Sequence, residues 1–172
     1  MKEGQKVAIV TGAGTGVGKA VAQIFLQHGY CVALAGRREE LLHSAVSEAG
    51  ADSQSTLCQQ TDVGCEEDVD SLFDATVGRF GRIDVLFNNA GIGARPIDID
   101  ELPLAEWQAV LNTNVHGAYL CARRAFGQMK SQDPKGGRII NNGSISASMP
   151  RVNTTPYTVS KHAMSGLTRS IA

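Results

Sequence analysis

Strand-like and helix-like segments alternate along the whole chain, and this rhythm restricts the fold more than any single residue does. KVAIVTG is a short apolar run, rich in β-branched residues and ending in glycine, the pattern of a buried strand. Val17, Val21, Ile24 and Phe25 then recur at helical spacing, and His28-Gly29 supply a stop. CVALAG and REELLHSAVSEAG repeat the pair. STLCQQTDV is a weaker strand, and EEDVDSLFDATVGRFG is a helix with an acidic first turn, where the macrodipole favours carboxylates. IDVLFNNAG is a strand running into a turn. From about Leu104 to Lys130 the pattern predicts one long helix, with Trp107, Val110, Leu111, Val115 and Ala118 along one side. GRIINNGS is a fifth strand, and Thr154 to Ala172 begins another helix. Such alternation with short connections predicts an α/β fold: a doubly wound parallel sheet between two helical layers, with right-handed crossovers. No linker or longer repeat divides the chain, so residues 1–172 are expected to form one domain, with IGARPIDIDELP a loop inside it.

Composition narrows the function. At 172 residues the chain can bury a single core, and a formal charge of −1 gives no electrostatic reason to expect nucleic acid or an anionic membrane as partner. No apolar run approaches the ~18 residues that a membrane helix requires. Cys31, Cys58, Cys65 and Cys121 form no CxxC pair and are expected to be reduced thiols of a cytoplasmic protein. His28, His43, His116 and His162 lack metal-ligand spacing, so no metal site is expected. The sequence has no G-x-S-x-G elbow for a hydrolase serine.

TGAGTGVGKA, between the first strand and the first helix, admits three readings. A ligand-free turn is one, but glycines at a helix start cost about 1 kcal/mol each relative to alanine. A nucleoside-triphosphate loop, GxxxxGK[ST], needs a glycine where Ala13 stands and a magnesium-binding hydroxyl where Ala20 stands. A dinucleotide pyrophosphate loop needs glycines that let backbone N–H groups at a helix N-terminus approach an anion. The spacing Thr11-Gly12-x-x-x-Gly16-x-Gly18, strand before and helix after, fits the third.

The end of the second strand bears on which dinucleotide is used. An NAD site usually carries an acid there, which accepts from the adenosine ribose hydroxyls. Here LAGRREE has Gly36 at that position and Arg37-Arg38 after it. A guanidinium can pair with a 2′-phosphate. The expectation is a preference for NADP(H), with NAD(H) possible; solvated helix-start charges are the alternative for both arginines.

Four separated features then fall in register: TGAGTGVG after strand one, NNAG (Asn88–Gly91) after strand four, Asn114 in the long helix, and Ser144 thirteen residues before Tyr157, with Lys161 after it. In this the chain resembles the short-chain dehydrogenase/reductase family over essentially its whole length. The resemblance implies a Rossmann-like fold and a set of site residues. Gly12, Thr15, Gly16 and Gly18 match the cofactor loop, with Val17 near the pyrophosphate. Asp62 and Val63 match the pair bordering the adenine. Asn89, Ala90 and Gly91 match the turn that lines the cofactor and braces the sheet. Asn114, Ser144, Tyr157 and Lys161 match the catalytic tetrad. The sequence departs from the family pattern at Thr15, where NADP-preferring members are often basic, and at Asn141-Asn142-Gly143, where a hydrophobic residue and another serine are commoner before the catalytic serine.

These residue types suit hydride exchange between a nicotinamide and an alcohol or ketone. A proton must follow the hydride, and a phenol beside an ammonium can carry it. Residues i and i+4 share a helix face, so Lys161 can sit beside Tyr157 and also reach the nicotinamide ribose. Ser144 is expected to donate to the substrate oxygen, and Asn114 to hold a water linking Lys161 to solvent. The family resemblance further implies a homodimer or homotetramer built on the long helix and the Tyr157–Lys161 helix; Ala163 and Gly166 would permit close approach. Family members continue past that helix with another strand, a substrate-covering segment and a final strand. This chain has about eleven residues after Lys161. The expectation is a domain incomplete at its C-terminus, lacking the last strand or strands, with most of the substrate pocket absent. A non-catalytic dinucleotide-binding or interaction module is the alternative.

Overall fold

Because both faces of its central strands are apolar, the sheet has to be covered twice, and it is. The computed structural model describes residues 4–172. Strands β1 (Val7–Thr11), β2 (Cys31–Gly36), β3 (Thr56–Gln60), β4 (Val85–Asn88) and β5 (Arg138–Asn141) form one parallel sheet in the order β3-β2-β1-β4-β5. Ile9 of β1 lies between Ala33 of β2 and Leu86 of β4. Those three side chains face one layer, with helices α3 (Glu66–Phe80) and α5 (Gly117–Ser131) supplying Leu72, Phe73, Leu120 and Ala125. Their neighbours Val10, Leu34 and Phe87 face the other, where α1 (Gly16–Gln27) and α2 (Glu39–Glu48) supply Ala22, Leu42 and Ala45. Period-two alternation with both faces buried accounts for the near-continuous apolar runs. The chain winds outward from β1 to β3, then crosses back to β4 and β5. The strand order therefore reverses beside β1, and a crevice opens at the carboxyl ends there.

The predicted long helix is three pieces. Leu104–Leu111 is α4, Asn112–His116 is a π-helical turn, and α5 follows. The Gly117 N–H reaches back five residues to the Asn112 carbonyl. Packing explains the extra residue in the turn. A Cβ at Gly117 would lie 2.6 Å from a Val63 methyl, and the Asn112 amide lies 3.5 Å from the Gly64 carbonyl. The turn thus seats against the loop after β3 and directs Asn114, 3% exposed, inward. Helix α6 (Thr155–Ser170) packs on α4 and on this turn. Arg123 pairs with Glu66, and Arg124 with Asp70 and Asp74, tying α5 to α3.

At the opposite end of the sheet, Asp84 ties three strands together. Its carboxylate accepts from the Val7 N–H at 2.9 Å and from the Arg82 guanidinium at 2.8–3.1 Å. Its carbonyl accepts from Arg138 N–H. That pairing also raises the Arg82 pKa above the usual guanidinium value. Asp84→Ala leaves the Val7 N–H without its acceptor and the Arg82 guanidinium without its carboxylate, held only by the Asp133 and Pro134 carbonyls. We expect a loss of about 1.5–3 kcal/mol, measured as a lower urea midpoint at unchanged m-value. A shift in the slope instead would mean that the surface exposed on unfolding had changed.

Candidate active site

The crevice beside β1 is built by backbone proximity and a threonine. The Thr11 hydroxyl accepts from the N–H groups of Asn89 and Ala90, both at 3.0 Å, and lies 3.4 Å from the Phe87 carbonyl as a donor. The Asn89 amide donates to the Thr11 carbonyl at 3.0 Å. These bonds lock the ends of β1 and β4 together. Gly12 follows with φ +66°, and a Cβ there would sit 2.9 Å from the Asn89 amide nitrogen. Gly18, buried in the first turn of α1, is tighter still: its Cβ would lie 2.2 Å from the Gly12 carbonyl oxygen. Only glycine lets the loop close this far over the helix start. Thr15 is the N-cap and makes no side-chain cap bond, so the N–H groups of the first turn point outward without an intrahelical acceptor.

A cavity of about 320 Å³ extends from this loop across the strand ends. Of the residues expected to hold a dinucleotide, Gly12, Thr15, Val17, Arg37, Asp62, Val63, Asn89, Ala90 and Gly91 line it. Gly16 and Gly18 do not; Gly16 turns the loop at φ +53°, and Gly18 lies beneath it. Arg37 and Arg38 stand exposed on the wall, and among the described residues neither guanidinium has a carboxylate partner. The Asp62 carboxylate accepts from Gly64 N–H at 2.9 Å, which shapes its own turn. Leu41, Ile92 and Thr113 also line the cavity and were not expected to. Nothing in their local pattern distinguishes them from ordinary core or helix positions.

Tyr157 and Lys161 line a second cavity of about 350 Å³. It shares Asn89, Gly91 and Ile92 with the first, so the two form one cleft over the carboxyl ends of the sheet. Pro156 in the first turn of α6 presets the helical dihedral, and the i, i+4 spacing puts both side chains on one face. The Lys161 ammonium lies 5.6 Å from the Tyr157 ring centroid. Lys161 is 8% exposed and donates to the Asn142 carbonyl at 2.9 Å. The Asn142 amide in turn donates to Asn89 Oδ1 at 2.8 Å. A hydrogen-bonded chain therefore runs from Lys161 through Asn142 and Asn89 to the glycine loop.

Asn114 braces this arrangement from behind. Its Oδ1 accepts from Ile92 N–H at 2.8 Å; its Nδ2 donates to the Ile92 carbonyl at 3.0 Å and the Ser160 hydroxyl at 3.1 Å. Ser160 donates to the Tyr157 carbonyl at 2.7 Å. Both amide protons of Asn114 are thus committed to protein. Ser144 caps the short 3₁₀ turn Ile145–Ala147 by accepting from Ser146 N–H at 3.1 Å, which leaves its own proton free to donate. It lines neither cavity. Burial pushes the thiols of Cys31 and Cys58 up and that of Cys121 up to about 12, which disfavours the thiolate at all three.

The family model for short chain dehydrogenases matches residues 6–172. The chain belongs to the short-chain dehydrogenase/reductase family. Among curated members, secoisolariciresinol dehydrogenase of Forsythia intermedia is 38% identical over 97% of this chain and 59% of its own length. A 3beta-hydroxysteroid dehydrogenase of Mediterraneibacter gnavus is 34% identical over 98% and 60%. The chain thus spans about three fifths of the length of these relatives. The crystal structure of a 3-ketoacyl-(acyl-carrier-protein) reductase from Brucella melitensis complexed with NADH superposes with a TM-score of 0.91 at 31% identity, covering 97% of this chain and 68% of that one. An actinorhodin polyketide ketoreductase with NADPH superposes with a TM-score of 0.89 at 30% identity, covering 97% and 64%. The Rossmann-like sheet expected from the short-chain dehydrogenase resemblance is the one observed.

Proposed function

We propose that this chain carries the cofactor-binding and proton-transfer parts of an NADP(H)-dependent oxidoreductase acting on an alcohol or ketone. The observation that carries the reading is the pairing of Tyr157 with Lys161 on a cleft continuous with the glycine loop. The residues present fit a dinucleotide. Gly12 and Gly18 close a cradle that a Cβ would fill, and Arg37 and Arg38 follow Gly36, where an NAD site usually carries an acid, without a carboxylate partner among the described residues. Gly12, Thr15, Gly16, Val17 and Gly18 hold the pyrophosphate on outward N–H groups; Arg37 meets the 2′-phosphate; Asp62 and Val63 border the adenine. Asn89, Ala90 and Gly91 line the path to the ribose near Lys161. When bound, the nicotinamide supplies or accepts the hydride.

The chain's own groups handle the proton and its charge. The Tyr157 hydroxyl gives a proton to the substrate oxygen in reduction and takes it back in oxidation. Lys161 sets a positive charge beside the phenol, where negative charge grows as the proton leaves. Ser144 donates to the substrate oxygen with its uncommitted proton. Because both amide protons of Asn114 are used, a relay water is held by its remaining lone pair or its main-chain carbonyl. A second reading, a binding module without turnover, draws on Ser144 lining neither cavity. Carbonyl-dependent oxidation of NADPH tests the first reading, and tight NADPH binding with no turnover on any carbonyl favours the second.

The coenzyme preference rests on Arg37. In Arg37→Asp the guanidinium that pairs with a 2′-phosphate becomes a carboxylate that repels it. We expect the ratio of NADPH to NADH affinity to fall by about tenfold or more. An unchanged ratio in fluorescence titration would remove Arg37 from this role.

We also assign a second copy of the chain as partner. An apolar groove of about 840 Å³ runs between the α4–α5 face and α6, lined by Trp107, Leu111, Val115, Tyr119, Val159 and Ala163. An apolar helical face of this kind suits a two-fold homodimer or homotetramer. Among the described residues no helix is long and apolar enough to cross a membrane. The four free cysteines, two of them buried, suit a cytoplasmic setting.

A further inference from the structure

We infer that Arg151 is an anion anchor that selects carbonyl substrates bearing a carboxylate or comparable negative group. The inference rests on the oxidoreductase reading of Tyr157 and adds the substrate class. Arg151 lines the cavity that Tyr157 and Lys161 line, and no acidic residue lines it. Its side chain is exposed, and among the described residues no carboxylate pairs with its guanidinium. Arg95 in the preceding loop is different: Glu106 holds it bidentately at 2.8–3.0 Å.

The backbone beside Arg151 is fixed although the side chain is free. The Thr154 hydroxyl donates to the Arg151 carbonyl at 3.0 Å. Asn153 sits at φ 60°, in the left-handed region that a side chain rarely adopts. Its amide donates to Asp98 at 2.7 Å, and its carbonyl accepts from Ile97 N–H at 2.9 Å. Residues 151–154 are thereby clamped to the loop after β4. Asp98 is the acid of this clamp; the Asn153 amide bonds its Oδ1, and it does not line the cavity. A cross-braced backbone that presents an uncommitted guanidinium to a cavity suits the binding of a planar anion.

The test uses the NADP⁺-loaded chain and linear keto acids of increasing length, each paired with its uncharged methyl ester. Isothermal titration should give, for at least one pair, an acid that binds about tenfold or more tightly than its ester. Arg151→Gln should abolish that difference and leave ester and NADP⁺ affinities unchanged; Arg151→Lys should restore part of it. Raising the salt should weaken the acid alone. If every acid binds like its ester, or neither binds, the anchor is overturned. So too if Arg151→Gln weakens NADP⁺, since the guanidinium then serves a cofactor phosphate. Failure of NADP⁺ to bind the wild-type chain would instead strike the oxidoreductase reading itself.

Discussion

Replacing Tyr157 with phenylalanine should lower turnover by about a hundredfold to ten-thousandfold while leaving NADPH affinity within about a factor of two. General acid–base groups contribute about 10²–10⁴ in rate, and the substitution removes one hydroxyl without removing the ring. That hydroxyl is not needed for the local scaffold. Lys161 is held by the Asn142 carbonyl, and α6 is held by Asn114 through Ser160. The ring keeps its place 5.6 Å from the ammonium. Stopped-flow NADPH oxidation and equilibrium fluorescence separate the two effects. Near-normal turnover would assign the proton to another group. Equal losses in binding and rate would make Tyr157 a structural residue of the cleft.

The second large effect is expected at Gly18. A single methyl group there meets the Gly12 carbonyl at 2.2 Å and the Asn89 amide at 2.5 Å, both far inside contact distance. The Gly12 carbonyl is backbone and cannot swing aside. Gly18→Ala must therefore push α1 away from the strand ends and disturb the Asn89 bonds that join β1 to β4. We expect a loss of about 1–3 kcal/mol, the usual cost of overpacking, with NADPH binding weakened about a hundredfold or more because the first-turn N–H groups no longer meet the pyrophosphate in register. Gly78 is the control. It lies in α3, exposed, with nothing within 4 Å of an added Cβ. Gly78→Ala should be neutral or stabilise by up to about 1 kcal/mol. Equal melting temperatures for the two variants would show that the glycine loop is looser than these contacts imply.

The middle of the sheet was legible because its central strands must be apolar on both faces, and a run such as VAIVT has few other uses. β3 was fainter because it lies at an edge, where Leu57, Cys58 and Gln59 are only partly covered. The π turn at Asn112–His116 was invisible. One added residue in one turn barely alters an apolar stripe, and its cause, the approach of Val63 and Gly64, is a tertiary contact. Motif spacing located Tyr157 and Lys161 on one helix face, but it could not show that Asn142 and Asn89 connect them to the glycine loop, since those bonds join α6 to the ends of β5 and β4. Arg151 carried no signal at all. It is one arginine in a loop, and only the cavity it lines sets it apart.

The most direct measurement is the crystal structure of this chain with NADP⁺ bound. The account predicts the pyrophosphate on the N–H groups of residues 16–18, the 2′-phosphate against Arg37, and the nicotinamide ring beside Tyr157 with its ribose at Lys161. A coenzyme whose nicotinamide lies outside the cavity that Tyr157 lines would contradict it.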